Sequence, residues 1–322
     1  MTPEQWMKRA VDVGLLTDGG RLNREQSDAF IDLVVDESVL SKIVRVERVS
    51  NPRGELNFMD ITEPVTEAVG EDADTGNTYE PILSSVEYDT RKLRSAIDFT
   101  SEAFEENIEG DAFRDRVMGA MSKRIATDIE LLYIRGSTTT YAADNSRLGR
   151  LLRRLNGWYV QGLAGHVVDL DGATISKEVF NDLIQAMPSR YLRNKSDLKF
   201  FVGVSTEQEY RNVVANRATG YGDDSLQGSN PMRAFGIDIV PVPLFPENLA
   251  RTAGTESFND GSFIWLTNPQ NLIAVISRDI TIHWEFVPRR DRWQSTIYTR
   301  VDCLIENTDA FVMGINLQVE GA

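Results

Sequence analysis

Residues 111–134 read DAFRDRVMGAMSKRIATDIELLYI. Phe113, Val117, Met121, Ile125, Ile129 and Leu132 recur every three or four positions and share one side of a 3.6-residue wheel. Asp115, Ser122, Lys123 and Glu130 take the other side. The stretch is therefore predicted to be one amphipathic helix, roughly 36 Å long at about 1.5 Å per residue. No proline interrupts it, and Gly136 just beyond its end is a natural stop. Two charges break the apolar stripe. Arg124 and Asp128 lie one turn apart, where they can pair. They are expected as an ion pair at the edge of the core; the alternative is a contact with another subunit.

Upstream of this helix the chain is thin. Residues 1–50 are expected to form an arm of two short helices and a strand. Thr2-Pro3-Glu4-Gln5 is a capping box with proline at the first helical position. Asn23 to Gln26 offers a second cap, ahead of Phe30, Leu33 and Val34 at helical spacing. Ile43 to Val49 alternates like a strand. The arm has too few large apolar residues for a core of its own and must lie on something else.

Residues 51–90 are unusual. No Lys or Arg occurs between Arg53 and Arg91, while acids run from Glu55 to Asp89. The centre, GEDADTGNTYEP, is polar and turn-rich, and the flanks 56–61 and 82–88 have strand character. This predicts a long two-stranded excursion with an acidic tip. Such a hairpin is marginal in water unless a surface supports it. Within a single chain it is a solvated loop; in an assembly it clasps a neighbour. Residues 91–100 are expected to continue as a strand into a short helix over 101–107.

Downstream, 136–165 is loop-rich. Arg147, Arg150, Arg153 and Arg154 interleave with Leu151, Leu152 and Leu155, which predicts a short amphipathic helix with a basic face. From Ser176 a second unit alternates helices and strands to about residue 262. Ser176 is expected to cap a helix through Val179, Phe180, Leu183, Ile184 and Met187, and Ser205-Thr206-Glu207-Gln208 to form a capping box. Residues 199–204 are expected as a strand, and so are 237–240, which Pro241 stops. Beyond Phe263 the chain is read as strand. In 294–305, Ile297, Thr299, Val301, Cys303 and Ile305 share one face, so Cys303 is read as a core residue rather than a nucleophile. The fold class is α+β.

Composition bounds the function. The 322 residues suffice for two or three compact units, and 41% hydrophobic content is ordinary for a globular protein. The longest apolar runs are far too short to span a bilayer, and MTPEQWMKRA has no apolar signal region. A single cysteine permits no intrachain disulfide. A formal charge of −15 argues against a free-standing nucleic-acid binder, yet suits a protein that surrounds DNA without gripping it.

No catalytic motif is present. The two histidines and one cysteine form no zinc spacing, and neither phosphate-binding glycine loop nor nucleophile elbow occurs. Asp169-Leu170-Asp171-Gly172 with Glu178 partly matches a calcium loop, but Val167 stands at its first ligand position. The segment is read as a turn. No cofactor or metal is expected.

The order of these pieces, from about Asn23 to Leu317, resembles the major capsid protein of tailed bacteriophages, the Hong Kong 97-like fold. The resemblance implies an N-terminal arm (1–50), an extended loop (51–90), a peripheral domain with a spine helix (91–175), an axial domain (176–262) and return strands of the peripheral domain (263–322). Asp171-Gly172-Ala173-Thr174 and Phe235-Gly236-Ile237-Asp238-Ile239-Val240-Pro241 would mark the start and end of the axial domain. It also implies a structural, non-enzymatic subunit forming hexamers and pentamers in an icosahedral shell around double-stranded DNA, with no sequence-specific binding and no membrane. Its place would be the virion, assembled in the host bacterial cytoplasm. Portal and decoration proteins would be partners. Some members crosslink through a lysine in the extended loop; no lysine lies between Lys42 and Lys92 here, so no such crosslink is expected. Some carry a long removable N-terminal scaffolding segment; the chain begins almost at the arm, which implies a separate scaffolding protein or earlier cleavage. Charge then suggests that Glu67, Glu71, Asp72 and Asp74 rest on basic residues of a neighbouring copy. Those are either Arg147, Arg150, Arg153 and Arg154 or Arg289, Arg290 and Arg292. The rival readings are an encapsulin-like compartment shell, a soluble α+β carboxylate-based hydrolase, and an adhesive surface protein.

Overall fold

The computed structural model describes residues 38–60, 66, 82–100, 111–216, 232–253, 256–277 and 281–319. The expected helices within 1–37, the loop tip and the 101–107 helix lie outside them. Strand β1 (Arg45–Val49) leads into a hairpin of β2 (Arg53–Asp60) and β3 (Ile82–Asp89). Then come β4 (Arg91–Thr100) and the long helix α1 (Asp111–Arg135). Short helices α2 (Arg147–Leu152) and α3 (Trp158–Gly162) precede β5 (His166–Asp169), α4 (Lys177–Ala186), β6 (Lys199–Val202) and α5 (Val204–Ala215). A tight hairpin, β7 (Arg233–Ala234) and β8 (Ile237–Pro241), follows. The rest is strand: β9 (Leu249–Ala253), β10 (Glu256–Thr267), β11 (Leu272–Ser277), β12 (Thr281–Val287), β13 (Arg292–Ile305) and β14 (Phe311–Gln318).

The strands make two principal sheets. In the five-stranded sheet the order is β1-β11-β13-β12, with β4 also on β13. In the seven-stranded sheet it is β5-β14-β10-β6-β8-β7, with β9 on β10. Hairpin β2–β3 is a separate two-stranded sheet. The sheet boundary does not follow the 262/263 division read from the sequence. β10 crosses that point, and β14 returns to the seven-stranded sheet beside β5 and β10.

Period-two alternation explains how the layers stack. Leu272, Ala274 and Ile276 of β11 lie on the same face as their partners Ile305, Cys303 and Val301 of β13. That face packs with Met121, Ile125, Ile129, Leu132 and Tyr133 of α1. Phe201, Phe263, Trp265, Phe311 and Met313 join the same core from the seven-stranded sheet. The other face of that sheet, with Phe200, Val202, Ile264, Leu266 and Val312, packs with Phe180 and Leu183 of α4 and Tyr210 of α5. Cys303 is buried, and burial pushes its thiol well above the usual range, so it is an inert core group.

Three local expectations are corrected. Ser122 and Glu130 of α1 are buried, not solvated, at 1% and 3% exposure. The Glu130 carboxylate accepts the Ser38 hydroxyl at 2.7 Å and the Val39 and Leu40 N–H groups at 2.9 and 3.1 Å, so it holds the turn ahead of β1. The capping box at 205–208 does not form. Helix α5 starts at Val204 with Gly203 at the cap, and Glu247, far away in sequence, takes the Ser205 N–H at 3.0 Å and its hydroxyl at 2.8 Å. A carboxylate there also suits the positive end of the helix. Ser176 stands at the cap position of α4, but its side chain makes no capping bond. Asp169 to Gly172 form a turn: Asp169 Oδ1 accepts the Asp171 N–H, and Asp171 and Gly172 have φ of 47° and 75°.

Candidate inter-subunit surface

Among the described residues, the hairpin is anchored at its root. Tyr88, Leu56 and Val86 cover the outer face of the five-stranded sheet at Ile273, Val275 and Leu304. Asp302 of β13 accepts the Asp89 N–H at 2.8 Å. Thr90 donates its N–H and its hydroxyl to Pro52 O, both at 2.9 Å. Arg53 and Arg91 flank Asp89 at 3.0 and 3.1 Å. From this root the two strands pair in register from Arg53↔Asp89 to Asp60↔Ile82, a reach of roughly 24 Å at about 3.4 Å per residue. On the outward side Glu55 faces Glu87, a like-charge pair that costs the isolated ribbon stability. Met59 is 61% exposed near its end. Glu67, Glu71, Asp72 and Asp74, the acids singled out in the sequence, lie outside the described residues.

The two arginine groups sit at opposite ends of β13. Arg147 and Arg150 lie on α2, with Arg153 and Arg154 just after it, and this segment is tied down near the end of α1. Ser137 N–H donates to Leu152 O, Gly157 N–H donates to Gly136 O, and Trp158 packs beside Tyr133. Trp158 is fully buried and donates its indole N–H to Leu304 O at 3.0 Å. Burying an indole removes roughly 200 Å² from water, on the order of 5 kcal/mol, so it anchors the segment. Gln161 completes the attachment: its amide donates to Cys303 O at 2.7 Å and accepts the Ile305 N–H at 3.1 Å. Part of this arginine set is engaged internally. Arg153 donates to Ala142 O, and Arg147 acts on Asp128. Asp128 pairs with Arg124 at 2.9 Å; burial raises its carboxyl above the usual range, and Arg124 offsets part of that rise. Arg124 is exposed and Asp128 half-buried, so within the subunit the pair lies at the edge of the core.

Arg289, Arg290 and Arg292 occupy the turn between β12 and β13, where Asp291 adopts a left-handed φ of 46°. All three are exposed, and their guanidinium groups form no ion pair among the described residues. β13 spans roughly 43 Å at about 3.3 Å per residue, so the two arginine groups lie far apart on the subunit. Periodicity could not reveal this separation, because it depends on strand pairing.

Among the described residues no group of three or more His, Cys, Asp or Glu is placed to hold a metal ion, and no helix is long and apolar enough to cross a membrane.

Residues 19–315 match the model of the phage capsid family. The chain belongs to that family, and it is a structural shell protein rather than an enzyme. Among individual relatives, it is 27% identical over 305 residues to YqbE of Bacillus subtilis (strain 168), whose name assigns it to a prophage capsid; 94% of each chain is covered. Its fold matches the satellite phage P4 procapsid, with TM-score 0.67, 14% identity and 91% of each chain covered. It also matches the SrpI encapsulin complex of Synechococcus elongatus PCC 7942, with TM-score 0.53, 12% identity and 87% and 88% of the two chains covered.

Proposed function

We propose that this chain is the major head subunit of a tailed phage, forming hexamers and pentamers that close into an icosahedral shell around double-stranded DNA. The observation that carries the reading is a family match spanning nearly the whole chain, together with a hairpin whose described anchorage is at its root. In this reading the residues up to β1 are the arm, β2–β3 the extended loop and α1 the spine. The five-stranded sheet is the peripheral domain, and the seven-stranded sheet with α4 and α5 is the axial domain. A hairpin of marginal stability gains surface by lying on a neighbour. The acids Glu67, Glu71, Asp72 and Asp74 rest on Arg289, Arg290 and Arg292 of the adjacent copy, since Arg147 and Arg153 already have internal neighbours. A separate scaffolding protein, a portal and decoration proteins are partners in the same reading.

Two experiments test it. Electron microscopy of particles from producing cells should show closed shells with nuclease-protected DNA; shells filled with protein cargo would favour the encapsulin reading. Reversing Arg289, Arg290 and Arg292 to Glu should block assembly, while reversing Arg150 and Arg154 should leave it near normal. Normal particles from the first variant would refute the charge pairing.

A further inference from the structure

The tip of hairpin β7–β8 combines two features that neither the core nor the turn explains. The turn has only two residues, Phe235 and Gly236, with φ of 51° and 85°. Positive φ at both central positions is the type I′ geometry, which selects Asn or Asp followed by Gly because it disfavours a side chain with bulk at the first position. Gly236 meets this demand; Phe235 violates it. Phe235 is not part of the core that its hairpin joins, and the residue is 51% exposed. A Cβ built on Gly236 would meet nothing within 4 Å, so the space beside the turn is open there.

The hairpin that carries this ring is firmly mounted. Ala234 and Ile237 are paired across the turn and buried in the core beneath α4 and α5. Met232 O accepts the Ile239 N–H at 2.8 Å. Arg233 and Asp238, the next cross-strand pair, form an ion pair at 2.6 Å. β7, at the edge of the seven-stranded sheet, is two residues long, too short to recruit a foreign strand. What this end of the sheet offers is an aromatic knob held in place by a rigid base. A single exposed apolar residue is ordinary; one kept in a backbone conformation that disfavours it is not, and such outliers point towards function.

We infer that Phe235 is an inter-subunit anchor, seated in a pocket of an adjacent copy of this chain. The inference rests on the self-assembly proposed above, which makes another copy the neighbour that every subunit shares. A pre-organised aromatic that loses little freedom on docking is the kind of group that dominates an interface.

The test compares subunit stability with assembly for the purified full chain, using Phe235→Asn and Phe235→Leu. Asn suits the turn, so the unassembled subunit should melt about 1–2 °C higher. Its concentration threshold for forming rings or shells, followed by analytical ultracentrifugation, should rise about 10- to 100-fold. Leu keeps an apolar knob and should assemble within a few-fold of wild type. An Asn variant that assembles at the wild-type threshold overturns the anchor while leaving self-assembly intact. So does one that melts lower, because Phe235 would then serve its own subunit. Wild-type protein that forms no assembly, either purified or in lysate of producing cells, overturns the underlying reading along with it.

Discussion

Asp302 Oδ2 accepts the Asp89 N–H at 2.8 Å, joining the root of the hairpin to strand β13. The other oxygen takes the Cys303 N–H at 2.9 Å. Burial, the largest influence, raises the Asp302 carboxyl above its ordinary value of 3.8, while these two bonds pull it back. The folded chain therefore holds this proton more tightly than the unfolded chain. Its contribution to stability is fullest below the ordinary value and is lost as pH rises through the raised one. Asp302→Asn keeps one acceptor and cannot titrate. It should gain on the wild type as pH is taken from about 4 to about 7. Urea midpoints of the unassembled subunit at the two ends of that range measure the change, and a relative loss for Asn would contradict the sign.

Gln161 does for β13 what another strand would do, serving Cys303 O and Ile305 N on one edge. Gln161→Ala leaves both backbone groups without their partners, at about 1–3 kcal/mol for each one that water cannot reach. A loss of roughly 2–4 kcal/mol is expected. Gln161→Glu removes the donor and sets a carboxylate against Cys303 O, so it should be no better. Chemical denaturation measures both; losses below about 0.5 kcal/mol would mean that solvent replaces the amide.

Glu130 joins α1 to the turn ahead of β1 by three accepted bonds. Glu130→Ala should release the Val39 and Leu40 amides, with exchange protection falling by about 10-fold or more, equivalent to about 1.4 kcal/mol. Protection on the β11 amides should change far less. Hydrogen exchange resolved to these residues separates local release from global unfolding, and uniform loss throughout the chain would argue against a local latch.

Periodic features were legible in the sequence, and long-range ones were not. The α1 stripe at Met121, Ile125, Ile129 and Leu132, the paired flanks of the hairpin, and the inward face of β13 at Cys303 all follow from spacing alone. Glu130 is misread, and the part Glu247 plays at the start of α5 is not foreseen, for one reason. A carboxylate looks solvated in its own helix or loop, and its role depends on donors 90 and 42 residues away. β14 was placed with its sequence neighbours, but its parallel pairing with β5 draws it into the other sheet. Of the candidate surface, the arginines are described and their separation is now explicit. The acids they are proposed to meet lie outside the described residues.

One substitution should act with opposite signs at two glycines, one within α1 and one just beyond it. Gly119 lies within α1, and an added Cβ would meet nothing within 4 Å. Gly119→Ala should therefore stabilise by about 0.5–1 kcal/mol, because alanine is the better helix former. Gly136 follows the last turn, where its N–H donates to Leu132 O at 2.8 Å and its carbonyl accepts the Gly157 N–H at 2.8 Å. A Cβ there would stand 2.6 Å from Leu132 O and 2.7 Å from Leu155 O. Both obstacles are backbone, so neither can swing aside, and the contact that seats the Trp158 segment against α1 must open. Gly136→Ala should cost about 2–4 kcal/mol, within the range of an overpacked core. Gly157→Ala should behave alike, since its Cβ would meet Tyr133 O at 2.5 Å. Thermal unfolding of the three variants settles the matter: Gly119→Ala melting above wild type with the other two well below it is the expected pattern, and equal shifts at Gly119 and Gly136 would contradict it.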